Sequence, residues 1–277
     1  MRLLIIAILL YALPVAAWSQ TGGPIATPAD KQYQLALDLA KTRGKALYEY
    51  DQAARYTAAA LREDVAAQDI AKVRGWVVTR QREGLLVTYY GIRDDAVYPF
   101  YSALWDGVGQ VLDRQLLMQS DDAVLTDMQL RLIAAGDSAS AVNLKNCSNL
   151  PFNPVILPAD VPGGADLVYY LTPQMRGDLF PLGGHYRFEI AGDRVQSFRS
   201  FTNSCVNVRT KAQGDNAAPE ALMFTHSLDS APTEAQVFAV FSMGIPLYVK
   251  TEQNGLLWLI EIFSGEPSIT LVDQNAE

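Results

Sequence analysis

Only a few residues in this chain are equipped for acid–base, nucleophilic or metal chemistry. Histidine occurs twice, at His185 and His226, and cysteine twice, at Cys147 and Cys205. Imidazole titrates nearest neutral pH, so the two histidines are the first candidates for general acid–base work. The segment Gly183-Gly184-His185-Tyr186-Arg187-Phe188-Glu189 gives one of them a charged neighbourhood. Strand alternation puts Tyr186, Phe188 and Ile190 on one face and His185, Arg187 and Glu189 on the other. On a catalytic reading, Arg187 clamps a carboxylate while His185 exchanges a proton. On a structural reading, the same residues form the polar face of a half-buried strand, solvated or closed by cross-strand ion pairs. Ordinary alternating strands favour the structural reading.

Metal chemistry finds little support. Two imidazoles cannot make a three-histidine zinc site, and a Cys/His site would consume the cysteines. His185 and His226 with Glu189 or Glu234 would supply ligands, yet no ligand spacing singles out a site, so neither metal nor cofactor is expected. Asp94-Asp95 and Asp121-Asp122 pair carboxylates in expected loops. Without an Asp-x-Asp-x-Asp-Gly pattern they read as solvated turns, not calcium ligands. No Gly-x-Ser-x-Gly, Ser-x-x-Lys, His-Glu-x-x-His, Walker-type or Gly-x-Gly-x-x-Gly pattern appears, which removes the enzymes that advertise by motif. Six aromatics, Tyr89, Tyr90, Tyr98, Phe100, Tyr101 and Trp105, cluster in one stretch. Such rings ordinarily build core. Turned outward, Tyr89, Tyr98, Tyr101 and Trp105 would form a platform for a sugar or peptide.

The cysteines admit two readings, a Cys147–Cys205 disulfide or a catalytic thiolate with a histidine as its base. The N-terminus decides between them. Met1-Arg2 is followed by an uncharged apolar run from Leu3 to Leu13, then Pro14 and the small residues Ala16, Ala17 and Ser19. This is the order of a secretory signal peptide over residues 1–19, too short to span a bilayer. Cleavage fits after Ser19 or after Ala17. No later stretch qualifies as a span, so the mature chain is expected outside the cytoplasm, periplasmic or extracellular. Disulfides persist there and a lone thiol would oxidise, so the bridge is preferred.

These residues need elements to hold them. The chain has 277 residues, 49% hydrophobic and 19% charged, enough to fill the core of one large domain or two ordinary ones. Its net charge of −8 repels phosphate backbones, so nucleic acid is not an expected partner. Residues 20–30 read as a flexible lead-in, with Thr27-Pro28-Ala29-Asp30 a good helix start. Tyr33, Leu37, Ala40, Gly44, Leu47, Tyr50, Ala54, Ala58, Leu61 and Val65 then recur at helical spacing. A helix that long must either break near Gly44 or lie as one rod across a sheet.

Trp76–Gln81 and Leu85–Tyr90 read as one hairpin around Arg82-Glu83-Gly84, and Tyr98–Trp105 and Val108–Leu116 as a second around Asp106-Gly107. Thr126 and Gln129 form a capping box for a second helix, with Leu130, Ile133, Ala134, Ser138 and Ala141 as its inner face. Strands follow, among them Val155–Leu157, Leu167–Leu171, His185–Ile190, Arg194–Phe201, Leu222–Thr225, Gln236–Phe241, Leu247–Lys250 and Leu256–Ile262. Lys211 to Pro219 reads as a polar loop. The expected fold class is therefore α+β, with N-terminal helices and one internal helix packed on antiparallel meanders. A helix plus four-strand unit occupies residues 31–120 and a helix plus longer antiparallel meander residues 121–277, a doubling compatible with two related helix-on-sheet units.

The succession Leu167-Val168-Tyr169-Tyr170-Leu171-Thr172-Pro173, Gly183-Gly184-His185-Tyr186-Arg187 and Asn203-Ser204-Cys205 resembles uncharacterised exported proteins of sphingomonad-type bacteria. The resemblance implies a bacterial cell-envelope setting and carries no activity. The expectation is thus an exported, non-enzymatic protein that binds a ligand or an envelope component. The alternative is an envelope hydrolase using His185 or His226 with a nearby carboxylate or metal. Both histidines converging with acids in one pocket would favour the enzyme.

Overall fold

The computed structural model describes residues 28–120, 122–211 and 219–272. The expected signal peptide, the Thr27 cap, Asp121 and most of the 211–219 loop lie outside them. Helix α1 (Pro28–Asp64) is followed by a single turn, α2 (Ala67–Ile70), and the strands β1 (Val73–Arg80), β2 (Leu85–Arg93), β3 (Ala96–Trp105) and β4 (Val111–Leu116). These four form an antiparallel meander in the order β1-β2-β3-β4. Its last turn is held by Asp106, whose Oδ1 accepts the backbone N–H groups of Val108, Gly109 and Gln110 at 2.9 Å each. Three orphan donors meet one carboxylate there, which is why an Asp begins the loop. The expected lead-in over residues 20–30 overlaps helix α1, which already begins at Pro28.

Helix α3 (Asp127–Ser140) carries the expected capping box, with Gln129 N–H donating to Thr126 Oγ1 and Thr126 N–H donating to Gln129 Oε1. Its inner face is rotated from the expected one. Gln129, Leu132, Ile133, Ala135 and Ala139 are buried, whereas Leu130 is exposed. The reason is that α3 lies between two sheets. Leu132 and Ile133 meet Val77 of the first sheet, while Ala135 and Ala139 meet Val168, Tyr186, Phe188 and Ile190 of the second. That second sheet is antiparallel, in the order β5 (Asn153–Leu157), β6 (Asp166–Leu171), β8 (Tyr186–Ala191) and β9 (Arg194–Ser200). Two short strands, β7 (Leu179–Pro181) and β10 (Asn207–Arg209), pair beside it.

The third sheet runs β11 (Leu222–His226), β12 (Leu247–Thr251), β13 (Leu257–Phe263) and β14 (Glu266–Leu271). The segment expected as a strand over Gln236–Phe241 is instead helix α4 (Glu234–Met243). Thr233 donates to Gln236 Oε1 from its backbone N–H at 2.7 Å and its hydroxyl at 2.6 Å, and Gly244 takes the left-handed conformation at the other end. The residues from Glu234 to Val240 are buried on every side. A helix enclosed all round is apolar all round, so no helical period marks it in the sequence. As the crossover between β11 and β12, α4 makes that pair parallel, within a chain whose other strand pairs, among the described residues, are antiparallel. The stretch after residue 120 is therefore two four-stranded sheets and a two-stranded pair, not one meander. The fold class is α+β.

Helix α1 is unbroken through Gly44 and, at 37 residues, rises roughly 55 Å. It touches each sheet in turn. Tyr33 packs edge-on against Trp258 of β13, Tyr48 stacks on Phe241 of α4, and Tyr56 stacks on Trp105 of β3. Gly44 marks the crossing with α4, where a Cβ would fall 2.5 Å from Val237 Cβ and 2.9 Å from the Glu234 carbonyl oxygen. One buried cluster, with Leu47, Tyr101, Tyr169, Val237 and Trp258 among its members, joins all these layers. It draws on residues from both sides of position 120. Among the described residues, no helix is long and apolar enough to cross a membrane.

Candidate functional site

His185 enters the second sheet through the corner Gly183-Gly184. Its Nδ1 accepts the Thr172 backbone N–H at 3.0 Å, which leaves Nε2 to donate to the Pro181 carbonyl, also at 3.0 Å. Both ring nitrogens are therefore occupied by backbone. Burial lowers its pKa to about 4, because a cation there would lose its hydration without gaining a counter-ion. At neutral pH this imidazole is a neutral brace between two chain segments. It does not reach substrate in the way the catalytic reading of the segment requires.

The same corner accommodates the cysteines. Cys147 and Cys205 are bonded, with Cα atoms 5.5 Å apart. Gly184 has φ +77°, and a Cβ on it would fall 2.4 Å from Cys147 Sγ. The two glycines thus leave room for the disulfide to cross the start of β8. No thiolate is left for nucleophilic chemistry.

Arg187 clamps carboxylates, and they belong to its own chain. Its Nη1 meets Glu234 at 2.5 Å and its Nη2 meets Glu189 at 2.9 Å. Tyr169 donates to the same Glu234 oxygen at 3.2 Å. Glu234 opens α4, where the positive end of the helix dipole also favours a carboxylate. The alternation of β8 is as expected, yet its polar face is closed by the α4 terminus instead of by solvent.

His226, at the end of β11, has a carboxylate partner that sequence reasoning missed. Its Nε2 lies 2.8 Å from Asp229 Oδ2, and the same oxygen receives Arg199 Nη2 at 2.6 Å. Burial alone would raise the Asp229 pKa, but the hydrogen bonds from His226 and Arg199 hold it down at about 2. Arg199 also lies over the Phe201 ring, 4.7 Å from its centroid. Beside His226 is a hollow of about 60 Å³ lined by Thr202, Ser204 and Ser227. An imidazole–carboxylate pair beside hydroxyls is the arrangement from which a base-activated nucleophile is built. The volume is well short of the ~300 Å³ at which small-molecule pockets begin. His185 and His226 share no side-chain hydrogen-bond partner, and His185 does not line the hollow beside His226. Among the described residues, no group of three or more His, Cys, Asp and Glu side chains is placed to hold a metal ion.

The aromatic platform is corrected by burial. Tyr89, Tyr101 and Trp105 are at most 5% exposed. Their face of the first sheet is covered by α1, where Thr57 meets Tyr89 Oη at 3.0 Å and Asp64 accepts from Tyr101 Oη at 2.6 Å. Burial pushes the Tyr89 phenol up to about 12. Tyr98 is half-buried beneath Arg93, 4.6 Å above its ring. These rings are core because a 37-residue helix needs a large apolar surface to lie on. Asp94 and Asp95 both have positive φ and form the β2–β3 turn, as expected of solvated acids.

A roomier cleft, of about 550 Å³, lies where the first and third sheets part over α1. Its floor carries Asp38, Lys41, Lys45 and Glu49, and its walls carry Arg80 from the end of β1 and Glu266 from the start of β14. Lys41 pairs with Asp38 at 2.7 Å, Arg80 with Glu49 at 2.8 Å, and Lys45 with Glu266. The floor residues recur at helical spacing along α1. Their walls come from remote parts of the chain, which no local pattern reveals. Compared with known proteins, the chain matches no family model, no curated protein and no solved structure.

Proposed function

We propose that this is an exported, non-enzymatic binding or interaction protein of the cell envelope, periplasmic or extracellular after removal of residues 1–19. One observation carries the reading. The two imidazoles are engaged separately, His185 tied to backbone on both nitrogens and His226 paired with Asp229 beside a hollow of about 60 Å³ that His185 does not line. The roomier cleft holds charged pairs and neither histidine. The disulfide is compatible with export, and the acidic net charge argues against nucleic acid as the partner.

The second reading, an envelope hydrolase, is favoured by the His226–Asp229 pair and the serines near it. A panel of chromogenic esters, phosphates, glycosides and peptide anilides separates the two. Wild-type protein and His226→Ala are expected to give the same background rate on every substrate. Turnover that disappears in His226→Ala would establish the hydrolase and overturn the binding reading. For export, intact mass of the secreted chain is expected to place the first residue at Gln20 or Trp18. A mass that retains Met1 to Ala17 contradicts the cleaved signal.

A further inference from the structure

We infer that the cleft over α1 takes zwitterionic ligands of the size of a di- or tripeptide, binding their ammonium and carboxylate ends by exchange with its own ion pairs. The inference rests on the binding reading above and names its site and ligand class. Three cations, Lys41, Lys45 and Arg80, face three carboxylates, Asp38, Glu49 and Glu266, and each cation already holds one of the carboxylates. A ligand of a single sign would either expel a partner of the same sign or add an unmatched charge to a balanced site. A ligand carrying both signs can take a cation with one end and the stranded carboxylate with the other, so every charge stays matched.

The exchange is cheap. The Glu266 side chain is 70% exposed and that of Asp38 50%, and exposed pairs of this kind contribute only about 0–1 kcal/mol each. Spacing sets the ligand's length. Lys41 and Lys45 are about 6 Å apart along the helix axis, and Asp38 and Lys45 about 10 Å. An extended tripeptide spans about 10 Å and a dipeptide about 7 Å. A volume of about 550 Å³ lies within the range of small-molecule sites. Thr42 on the floor adds a neutral hydroxyl, while Ala46 and Pro267 keep the space open with short side chains.

Titration calorimetry on the mature protein tests this with four probes: trialanine, N-acetyl-trialanine, trialanine amide and inorganic phosphate. Trialanine is expected to bind saturably, with each capped form weaker by about two- to fivefold and phosphate giving no saturable heat. A Lys41→Ala/Lys45→Ala variant, whose unchanged melting temperature verifies its fold, is expected to lose about five- to tenfold in trialanine affinity. Three results overturn the inference: no saturable trialanine binding up to about 10 mM, capped forms that bind as well as the free peptide, or phosphate that displaces it. The two proposals fail separately. Absence of peptide binding without His226-dependent turnover removes the ligand and leaves the binding reading. His226-dependent turnover with intact peptide binding removes the non-enzymatic reading and leaves the cleft.

Discussion

His185 accepts from one backbone amide and donates to one backbone carbonyl, and it does both only as a neutral ring. Its folded pKa of about 4 lies below the ordinary 6.5, so between those values the unfolded chain binds a proton that the native one refuses. Stability from this group is complete above pH 6.5 and is lost as the pH falls toward 4, by on the order of 3 kcal/mol in all. Urea denaturation from pH 7 to pH 4 should show that decline in the wild type. In His185→Asn, which keeps an acceptor for Thr172 N–H and does not titrate, the slope over the same window should flatten whatever the absolute stability. The disulfide acts on the other side of the equilibrium. It joins residues 58 apart, and closing such a loop removes unfolded-state entropy equivalent to about 4 kcal/mol. Reductant should lower the denaturation midpoint accordingly, and unfolded, unreduced protein should show no free thiol. Two free thiols per chain would refute the bridge.

At the scale of elements, the crossing of α1 and α4 depends on one missing side chain. In an isolated helix Gly44→Ala would gain about 1 kcal/mol of propensity. Here the new methyl meets Val237 Cβ and the Glu234 carbonyl well inside contact distance. Overpacking of this kind costs about 1–3 kcal/mol, so the variant should be less stable than wild type. Thermal denaturation checks the sign, and a stabilised Gly44→Ala would mean that the helices do not cross at this position. The start of α3 gives a second, milder test. Thr126→Ala removes both the acceptor for Gln129 N–H and a hydroxyl partner of Gln129 Oε1, and should cost about 1 kcal/mol. Thr126→Ser should restore most of it.

Across the whole molecule, α1 is the common support of three sheets, and the Arg187–Glu234 pair ties the second sheet to α4. Glu234 is only 4% exposed and receives both Arg187 and Tyr169. Arg187→Ala would strand that carboxylate away from water, which costs about 3–5 kcal/mol. Arg187→Ala/Glu234→Gln should recover part of the loss by removing the unpaired charge. Denaturant midpoints of the two variants measure the difference, and equal midpoints would show that Glu234 gains its solvation elsewhere.

Local patterns were enough for much of this fold. The stripe from Tyr33 to Val65 announced α1, Thr126 and Gln129 announced α3, and Asp106-Gly107 announced the β3–β4 turn, because capping, turn chemistry and periodicity act over a few residues. Strand β14 is not among the expected strands, although the Ser264-Gly265 turn before it, with positive φ at both residues, carries the same kind of signal. Helix α4 left a legible start in Thr233 and Gln236, but its enclosed body has no polar face to set a period. The alternation of β8 and the stripe of α1 are legible locally, but other faces were beyond reach. Whether Tyr101 looks inward, whether Leu130 or Leu132 meets a sheet, and that Arg199 joins the local His226–Asp229 pair all depend on what another part of the chain brings to that side. Arg199 and Asp229 come from different elements, as do Lys45 and Glu266, and the cleft exists only because the sheets of β1 and β14 part over α1. The sequence alone determined α1, α3, the first antiparallel meander and the single cysteine pairing. The tertiary structure decided burial, partners and the open cleft, since those are set by contacts between residues far apart in the chain.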